Sequence, residues 1–224
     1  MAARCRGRYG TVTSIRGLVV ASALAPWERI GLRIVGGESW IGGIRLRFVD
    51  VPPDHVGRSS LVGWELTGCP RPVAMIDGLA TTNLDVETDA DTESKIDPQA
   101  WSHELKATAF DHVVVMTSSL ERTCGAIESA TGEPLKRIRE AGSIRQGFHR
   151  LGPMIVEVAE TAQVRSDIAA FWGFVLIVDD LAEVAGRLGP DVISMPKAAV
   201  QPGRFIASFR ADVGLGLPLA LMTR

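Results

Sequence analysis

FDHVVVMTSSLERTCGAIESATG, residues 110–132, and FWGFVLIVDDLAEVAGRLGPD, residues 171–191, start sixty-one residues apart and follow one plan. Each opens on a short run rich in β-branched and aromatic residues, VVVM at 113–116 and FVLIV at 174–178. Such side chains pack well on a pleated surface, so both runs read as strands. A small polar step follows, Thr117-Ser118-Ser119 in the first copy and Asp179-Asp180 in the second. Side-chain oxygens at such a step accept the unpaired amides of a helix start. Leu120 and Leu181 then open amphipathic runs, and Gly132 and Gly189 mark their exits. A repeat this long, holding both periodicities, predicts duplicated supersecondary units rather than a solenoid of short repeats.

Three extended pieces follow each predicted helix. In the first copy they are PLKRIREAG at 134–142, IRQGFHRLG at 144–152 and PMIVEVAE at 153–160, separated by Gly142 and by Gly152-Pro153. In the second they are DVISMPK at 191–197, RFIASFR at 204–210 and LPLALMT at 217–223. The plan in each copy is therefore βαβββ. One helix cannot cover both faces of such a sheet, so two modules side by side leave a concave surface open to a ligand. The fold class expected is α+β, with modules at 108–162 and 170–224 forming one cup-shaped domain over 108–224.

The N-terminal segment follows the scheme more loosely. GLVV at 17–20 reads as a strand, APWERIG at 25–31 as a short helix, and GLRIVGG, IGGIRLRFVD and LVGWELTG as further strands. This gives a partial βαβββ-like unit over 15–76, expected to pack on the main domain or on a second subunit, since alone it would expose a sheet edge or face. From Asp77 to about Ala107 the chain is polar and acidic, with DVETDADTESKID at 85–97, and reads as a linker that Trp101 and Leu105 could anchor.

Bulk composition narrows the function classes. An apolar fraction of 46%, a charged fraction of 22% and a net charge of −2 describe an ordinary soluble globular protein. The first residues carry Arg4, Arg6, Arg8 and Arg16, but no aromatic interleaving or recognition motif accompanies them, so no nucleic-acid partner is expected. The basic start and GLVVASALA at 17–25 imitate an export signal, yet Trp27-Glu28-Arg29 continues a helical pattern, and a strand leading into a helix is the preferred reading. No run approaches the length of a membrane span, and a cytoplasmic setting is expected. Cys5, Cys69 and Cys124 are too far apart for a metal knuckle, and Cys124 reads as a small core residue. No phosphate-binding loop, nucleophile elbow or H-E-x-x-H is present.

FDHVVVMTSSLERTC at 110–124, RQGFHRLGPMIVEV at 145–158, FWGFVLIVDDL at 171–181, QPGRFIASFR and GLGLPLALMT together resemble the vicinal oxygen chelate superfamily, the glyoxalase, bleomycin-resistance and extradiol-dioxygenase group. In particular they look like an actinobacterial glyoxalase-like domain. The resemblance covers about half the chain. It implies a cup holding a divalent metal (Fe, Mn, Ni or Zn) on four positions, one near the start of the first strand and one on the last strand of each module. It also implies isomerisation, ring cleavage or addition on a metal-bound substrate. Carried onto this sequence, the first module offers His112 and Glu157, with Glu157 doubling as a base. The second departs from the pattern: the repeat offset sets Gly173 against His112, and LGLPLALM set on LGPMIVEV puts Leu221 against Glu157.

Periodicity supports the pair independently, because His112, Val114 and Met116 share one strand face and Ile155, Glu157 and Ala159 another. An imidazole and a carboxylate among apolar neighbours need a partner or a ligand. A residue from elsewhere, such as His149, could complete the set. Alternation puts Arg145, Gly147 and His149 on one face and Gln146, Phe148 and Arg150 on the other. If Arg145, His149 and Lys197 face inward, with Gln201 and Arg204 beside them, the cup suits a carboxylate or phosphate. Phe148 and Trp172 would supply apolar walls. Three readings follow: an enzyme or binding protein with a degenerate metal site acting on a polar or anionic organic molecule, a metal-free binding protein for a metabolite or drug, and a structural module with a filled cup. A homodimer is the expected assembly.

Overall fold

The two copies of the repeat build the two halves of one sheet. The computed structural model describes residues 12–50, 59–85 and 101–224. The first module runs β7 (Ala107–Thr117), α2 (Leu120–Thr131), β8 (Arg137–Ala141), β9 (Ile144–Leu151) and β10 (Met154–Glu160). The second runs β11 (Ala170–Val178), α3 (Leu181–Leu188), β12 (Lys197–Ala198), β13 (Phe205–Ser208) and β14 (Leu219–Met222). Their eight strands lie in the order β12-β13-β14-β11-β7-β10-β9-β8. In each module the last strand runs parallel to the first, and the modules join through antiparallel β7 and β11.

The helix boundaries lie where the small polar residues and glycines set them. Ser119 accepts the Arg122 amide at 3.3 Å and Asp180 the Glu183 amide at 2.8 Å, each filling one of the bonds a first helical turn lacks. Gly132 closes α2 at φ 74° and bonds back to the Glu128 carbonyl. Strand alternation sorts the faces. Val113, Val115, Val156 and Val158 are fully buried toward the helix layer, while His112, Ile155 and Glu157 point the other way and are only partly buried.

The N-terminal part is more than one partial module. Its strands are β1 (Ser14–Ala21), β2 (Glu38–Ile41), β3 (Ile44–Val49), β4 (Leu61–Thr67), β5 (Met75–Ile76) and β6 (Leu79–Leu84), with helix α1 (Ala25–Arg29) after β1. The order β2-β3-β1-β4-β6-β5 repeats the larger sheet in trimmed form. Antiparallel β1 and β4 occupy the centre, β3 lies parallel to β1, and β6 lies parallel to β4. β4 thus opens a second, helix-less half-module rather than closing the first.

That arrangement corrects the linker reading. Residues 79–84, expected as the start of an acidic linker, form β6. LATTNL lacks the apolar weight that marks a strand, but Leu79 is fully buried and Thr81 nearly so. The Thr81 hydroxyl accepts the Trp64 indole N–H at 2.7 Å and donates to the Leu79 carbonyl at 2.9 Å, so a polar side chain is satisfied inside the core. Leu105 is buried and bonds its amide to the Gly31 carbonyl at 2.9 Å, the anchor expected of that stretch. The acidic run over 86–100 and the basic start with Cys5 lie outside the described residues.

Of the two packing partners left open for the N-terminal unit, the described one is the main domain. The two sheets share one core. Trp27 of α1 packs edge-on against Phe48 at 5.4 Å and stacks on Phe174 of β11 at 6.1 Å, while Trp64 meets Phe171 at 5.3 Å. The smaller sheet therefore covers the helix side of the larger one and leaves the other side free. Among the described residues no helix is long and apolar enough to cross a membrane.

Asp77 fastens the two parts. Its carboxylate, almost fully buried, accepts Arg122 Nε at 3.0 Å and the Thr123 hydroxyl at 2.5 Å, and its carbonyl accepts the Ala169 amide at 2.8 Å. Asp77→Ala removes the acceptor shared by two α2 donors, leaving them only Thr117, and a loss of about 2 kcal/mol is expected. Urea denaturation checks it, and Arg122→Ala on top of Asp77→Ala should cost far less than Arg122→Ala alone.

Candidate functional site

The free face of the larger sheet curls into a trough holding two joined cavities rather than a filled core. One, of about 640 Å³, is lined by strands from both edges, with Arg137 and Arg139 of β8 on one side and Lys197 and Gln201 on the other. The second, of about 450 Å³, lies toward Trp172, Met116 and Val175. They share His112, Gln146, Glu157, Ile206 and Ser208, so a ridge built on the His–Glu pair divides one continuous trough.

An irregularity in the central strand pair shapes that ridge. His112 pairs with Val175 and Phe110 with Leu176, so Asp111 is an extra residue on β7. A bulge of this kind breaks the alternation of faces and re-aims a side chain. Asp111, expected opposite His112, lines the same cavity instead, and its Oδ2 lies 2.7 Å from His112 Nδ1. Its other oxygen accepts Arg204 Nη2 at 2.8 Å. Burial alone would raise the Asp111 carboxyl, but hydrogen bonds and charge from His112 and Arg204 outweigh it and hold the group below the ordinary carboxylate range.

His112 and Glu157 are brought together, but not as a hydrogen-bonded pair. Nε2 and Oε2 stand 3.8 Å apart, beyond bonding distance. Each has another partner: Glu157 Oε1 accepts the Gln146 amide, whose oxygen accepts Arg139 Nε at 2.9 Å. A polar string thus crosses the trough floor, from Arg139 through Gln146, Glu157, His112 and Asp111 to Arg204. Arg204 also donates to Gln201 Oε1 at 3.0 Å and to the Thr223 carbonyl at 2.7 Å, which fixes its fork. Arg137 lies over the Phe148 ring at 4.6 Å.

Several residues picked out from the sequence border the trough. Phe148, Lys197 and Gln201 line the larger cavity, Arg204 backs Asp111, and Trp172 lines the apolar cavity, itself an extra residue on β11 between Phe171 and Gly173. Arg145 and His149 are corrections. Their strand alternates as expected, but the face they share turns to α2, not to the cup. Gly147 decides this: a Cβ there would come within 2.8 Å of Cys124 Sγ, so only a glycine lets the helix approach. Arg145 pairs with Glu121 at 2.7 Å and Glu160 at 2.8 Å, and His149 is buried with Nδ1 3.1 Å from the Glu133 carbonyl. Asp111, Gln146, Arg137 and Arg139 are the additions. Gln146 was on the Phe148 face by alternation alone, whereas Asp111 needed the cross-strand register.

The set does not make a metal centre. The second module offers no donor at the matching places. Leu221 is buried toward the helix layer, and the cup-side neighbours are Val175, Ala220 and Met222. None supplies an oxygen or nitrogen donor. Among the described residues no group of three or more His, Cys, Asp or Glu could hold a metal ion. His112 Nε2 and Glu157 Oε2 are two donors where a tight first-row site takes three or four, and Asp111 is committed to His112 and Arg204. Cys124, with burial pushing its thiol up to about 12, is inert core as expected.

No family model and no curated protein matches the chain. Solved structures do. Methylmalonyl-CoA epimerase from Mycobacterium tuberculosis is 13% identical, covering 53% of this chain and 89% of that one at a TM-score of 0.45. A Streptomyces coelicolor methylmalonyl-CoA epimerase variant in complex with 2-nitronate-propionyl-CoA is 15% identical, covering 52% and 97% at 0.43. A hypothetical protein from Bacillus halodurans is 12% identical, covering 51% and 93% at 0.43. The fold assignment rests on the strand order itself: paired βαβββ modules in one mixed, cupped sheet, the glyoxalase-like architecture.

His149 carries a pH prediction. Burial lowers its pKa, with the bond to the Glu133 carbonyl opposing only in part, and Nε2 has no partner among the described residues. The unfolded chain therefore takes up a proton near the ordinary histidine value of 6.5 that the folded chain resists. Stability is full above that pH and falls as pH drops toward the lower folded value. His103, lowered by burial likewise, adds to the slope. Urea midpoints between pH 7.5 and about 5.5 should fall, and His149→Gln should flatten part of that fall.

Proposed function

We propose that this chain binds a small polar or anionic organic molecule on the free face of the larger sheet, over His112 and Glu157, and that binding needs no metal. One observation carries the reading: two hydrogen-bonded polar strings, Arg139–Gln146–Glu157 and His112–Asp111–Arg204, meet at a 3.8 Å gap between Glu157 and His112 on the floor of a trough that no part of the described chain fills. Polar groups held in such a setting cost stability unless they are used, and ligand sites have this make-up, apolar walls with a few fixed polar groups. The N-terminal sheet acts as a backing for the helix side. The test is a fragment screen by two-dimensional NMR on protein treated with chelator. Hits should move the Gln146 side-chain amide and the Ser208 and Ile206 backbone signals, and His112→Ala and Glu157→Ala should weaken them. Hits that vanish on chelation and return with Fe, Mn, Ni or Zn would sink the metal-free reading, and shifts confined to other surfaces would sink the site.

The Asp111–His112 contact favours a second reading, proton transfer to the bound molecule. With Nδ1–H donating to Asp111, the Nε2 lone pair faces Glu157 and the cavity, the tautomer and aim a general base requires. Solvent deuterium should then enter a bound keto acid at carbon. His112→Gln should slow this at least about a hundredfold, and Asp111→Asn less; equal rates in His112→Gln and wild type would remove the reading.

A further inference from the structure

The trough is charged at one end only. Arg137, Arg139 and Lys197 line the larger cavity, and none of the three has a carboxylate partner among the described residues. The two acids of that cavity are already committed, Asp111 to Arg204 and Glu157 to Gln146. Four cations, counting Arg204, thus face two carboxylates, a surplus of two positive charges that no described side chain neutralises. Past the ridge the character changes. Apart from the shared His112, Gln146, Glu157 and Ser208, the second cavity is lined by apolar residues, among them Val114, Met116, Trp172 and Val175. Trp172 is 47% exposed, an indole held at the surface by its bulge, and it would lose that exposure under a ligand.

Two complementary ends joined by one floor define a two-ended occupant. We infer that the ligand is an amphipathic organic anion, its oxyanion head between Arg137, Arg139 and Lys197 and its apolar body across the ridge against Trp172 and Met116. Guanidinium forks match carboxylate, sulfonate and phosphate oxygens alike, and the low-dielectric walls strengthen the attraction. The apolar end supplies transfer free energy in proportion to the area it covers. The middle of such a molecule lies against His112 Nε2. This inference rests on the ligand-binding reading of the trough and adds the direction and chemistry of what it holds.

Two dyes with one skeleton separate the contributions: 8-anilinonaphthalene-1-sulfonate, which carries the anion, and N-phenyl-1-naphthylamine, which does not. Fluorescence titration of the full chain should give saturable one-to-one binding of the sulfonate. Arg137→Gln with Arg139→Gln should weaken the sulfonate about tenfold or more and leave the neutral dye within about twofold. Lys197→Gln, on an exposed strand end, repeats the test with a weaker expected effect should the double variant unfold. Trp172→Ala should weaken both dyes. Equal loss of both dyes in the arginine variants, or no loss of the sulfonate, overturns the oriented anion while leaving a binding trough. Indifference of both dyes to Trp172→Ala places them elsewhere and overturns the inference as well. If neither dye binds one-to-one, the ligand-binding reading falls with it. Displacement by 4-phenylbutyrate and by phenyl phosphate distinguishes a carboxylate head from a phosphate head. Inorganic phosphate should displace poorly, and equal displacement by it would overturn the amphipathic requirement.

Discussion

The antiparallel contact between β7 and β11 runs through the middle of the larger sheet, and both the cup and its contents follow from it. It fuses two modules into one continuous surface, so that curvature accumulated over eight strands brings the two outer edges across from each other. It also carries the register shifts that turn Asp111 and Trp172 toward the trough. A regular pairing would have put Asp111 against the helix layer, where a carboxylate without partners costs several kcal/mol. The irregularity thus does two things at once. It removes a charge from the core, and it sets that charge beside His112 Nδ1, where the ring tautomer is decided.

Much of this was legible in the sequence, for physical reasons that can be named. The duplicated modules were readable because each element carries its own period, with a polar cap and a glycine at the expected places. Ser119, Asp180, Gly132 and Gly189 all lie where the structure ends or begins a helix. His112 and Glu157 were grouped with their face-mates by clean alternation, and it was the family resemblance that turned that face toward the cup. β6 was missed because Thr81 is buried through a hydrogen bond to Trp64 rather than through apolar area. Arg145 and His149 were assigned to the wrong face because alternation gives the grouping of side chains but not which group meets the helix. The clue available was Gly147, the one residue of that group with no side chain, at the point of closest helix approach. Asp111 could not have been found by alternation, since a bulge is a property of two strands together.

The loss of donors in the second module alters what the first module's residues do. With Val175, Ala220 and Met222 on the cup side, His112 and Glu157 face an apolar wall instead of two further ligands. Gln146 and Asp111 take up part of their bonding capacity, and Arg204 brings a fixed positive charge to the same floor. The floor is thereby held by hydrogen bonds on either side of the His112–Glu157 gap. Side chains so braced lose little freedom when something settles on them, which favours recognition of shape and charge over loose adsorption.

Phe174 has an unusual position in this architecture. One side of its ring meets Trp27 of the smaller sheet at 6.1 Å, while the same residue borders the apolar end of the trough. At that point the partition between the two halves of the molecule is the single strand β11, since Phe174 pairs with Val113 and turns its ring to the helix side while the next residue, Val175, faces the trough. A change in how α1 seats Trp27 would move that ring and, through the β11 backbone, shift Val175 at the trough's apolar end. The trimmed N-terminal sheet is therefore a mould for the pocket as much as a cover for the core, and sequence drift far from any lining residue can retune which molecules fit.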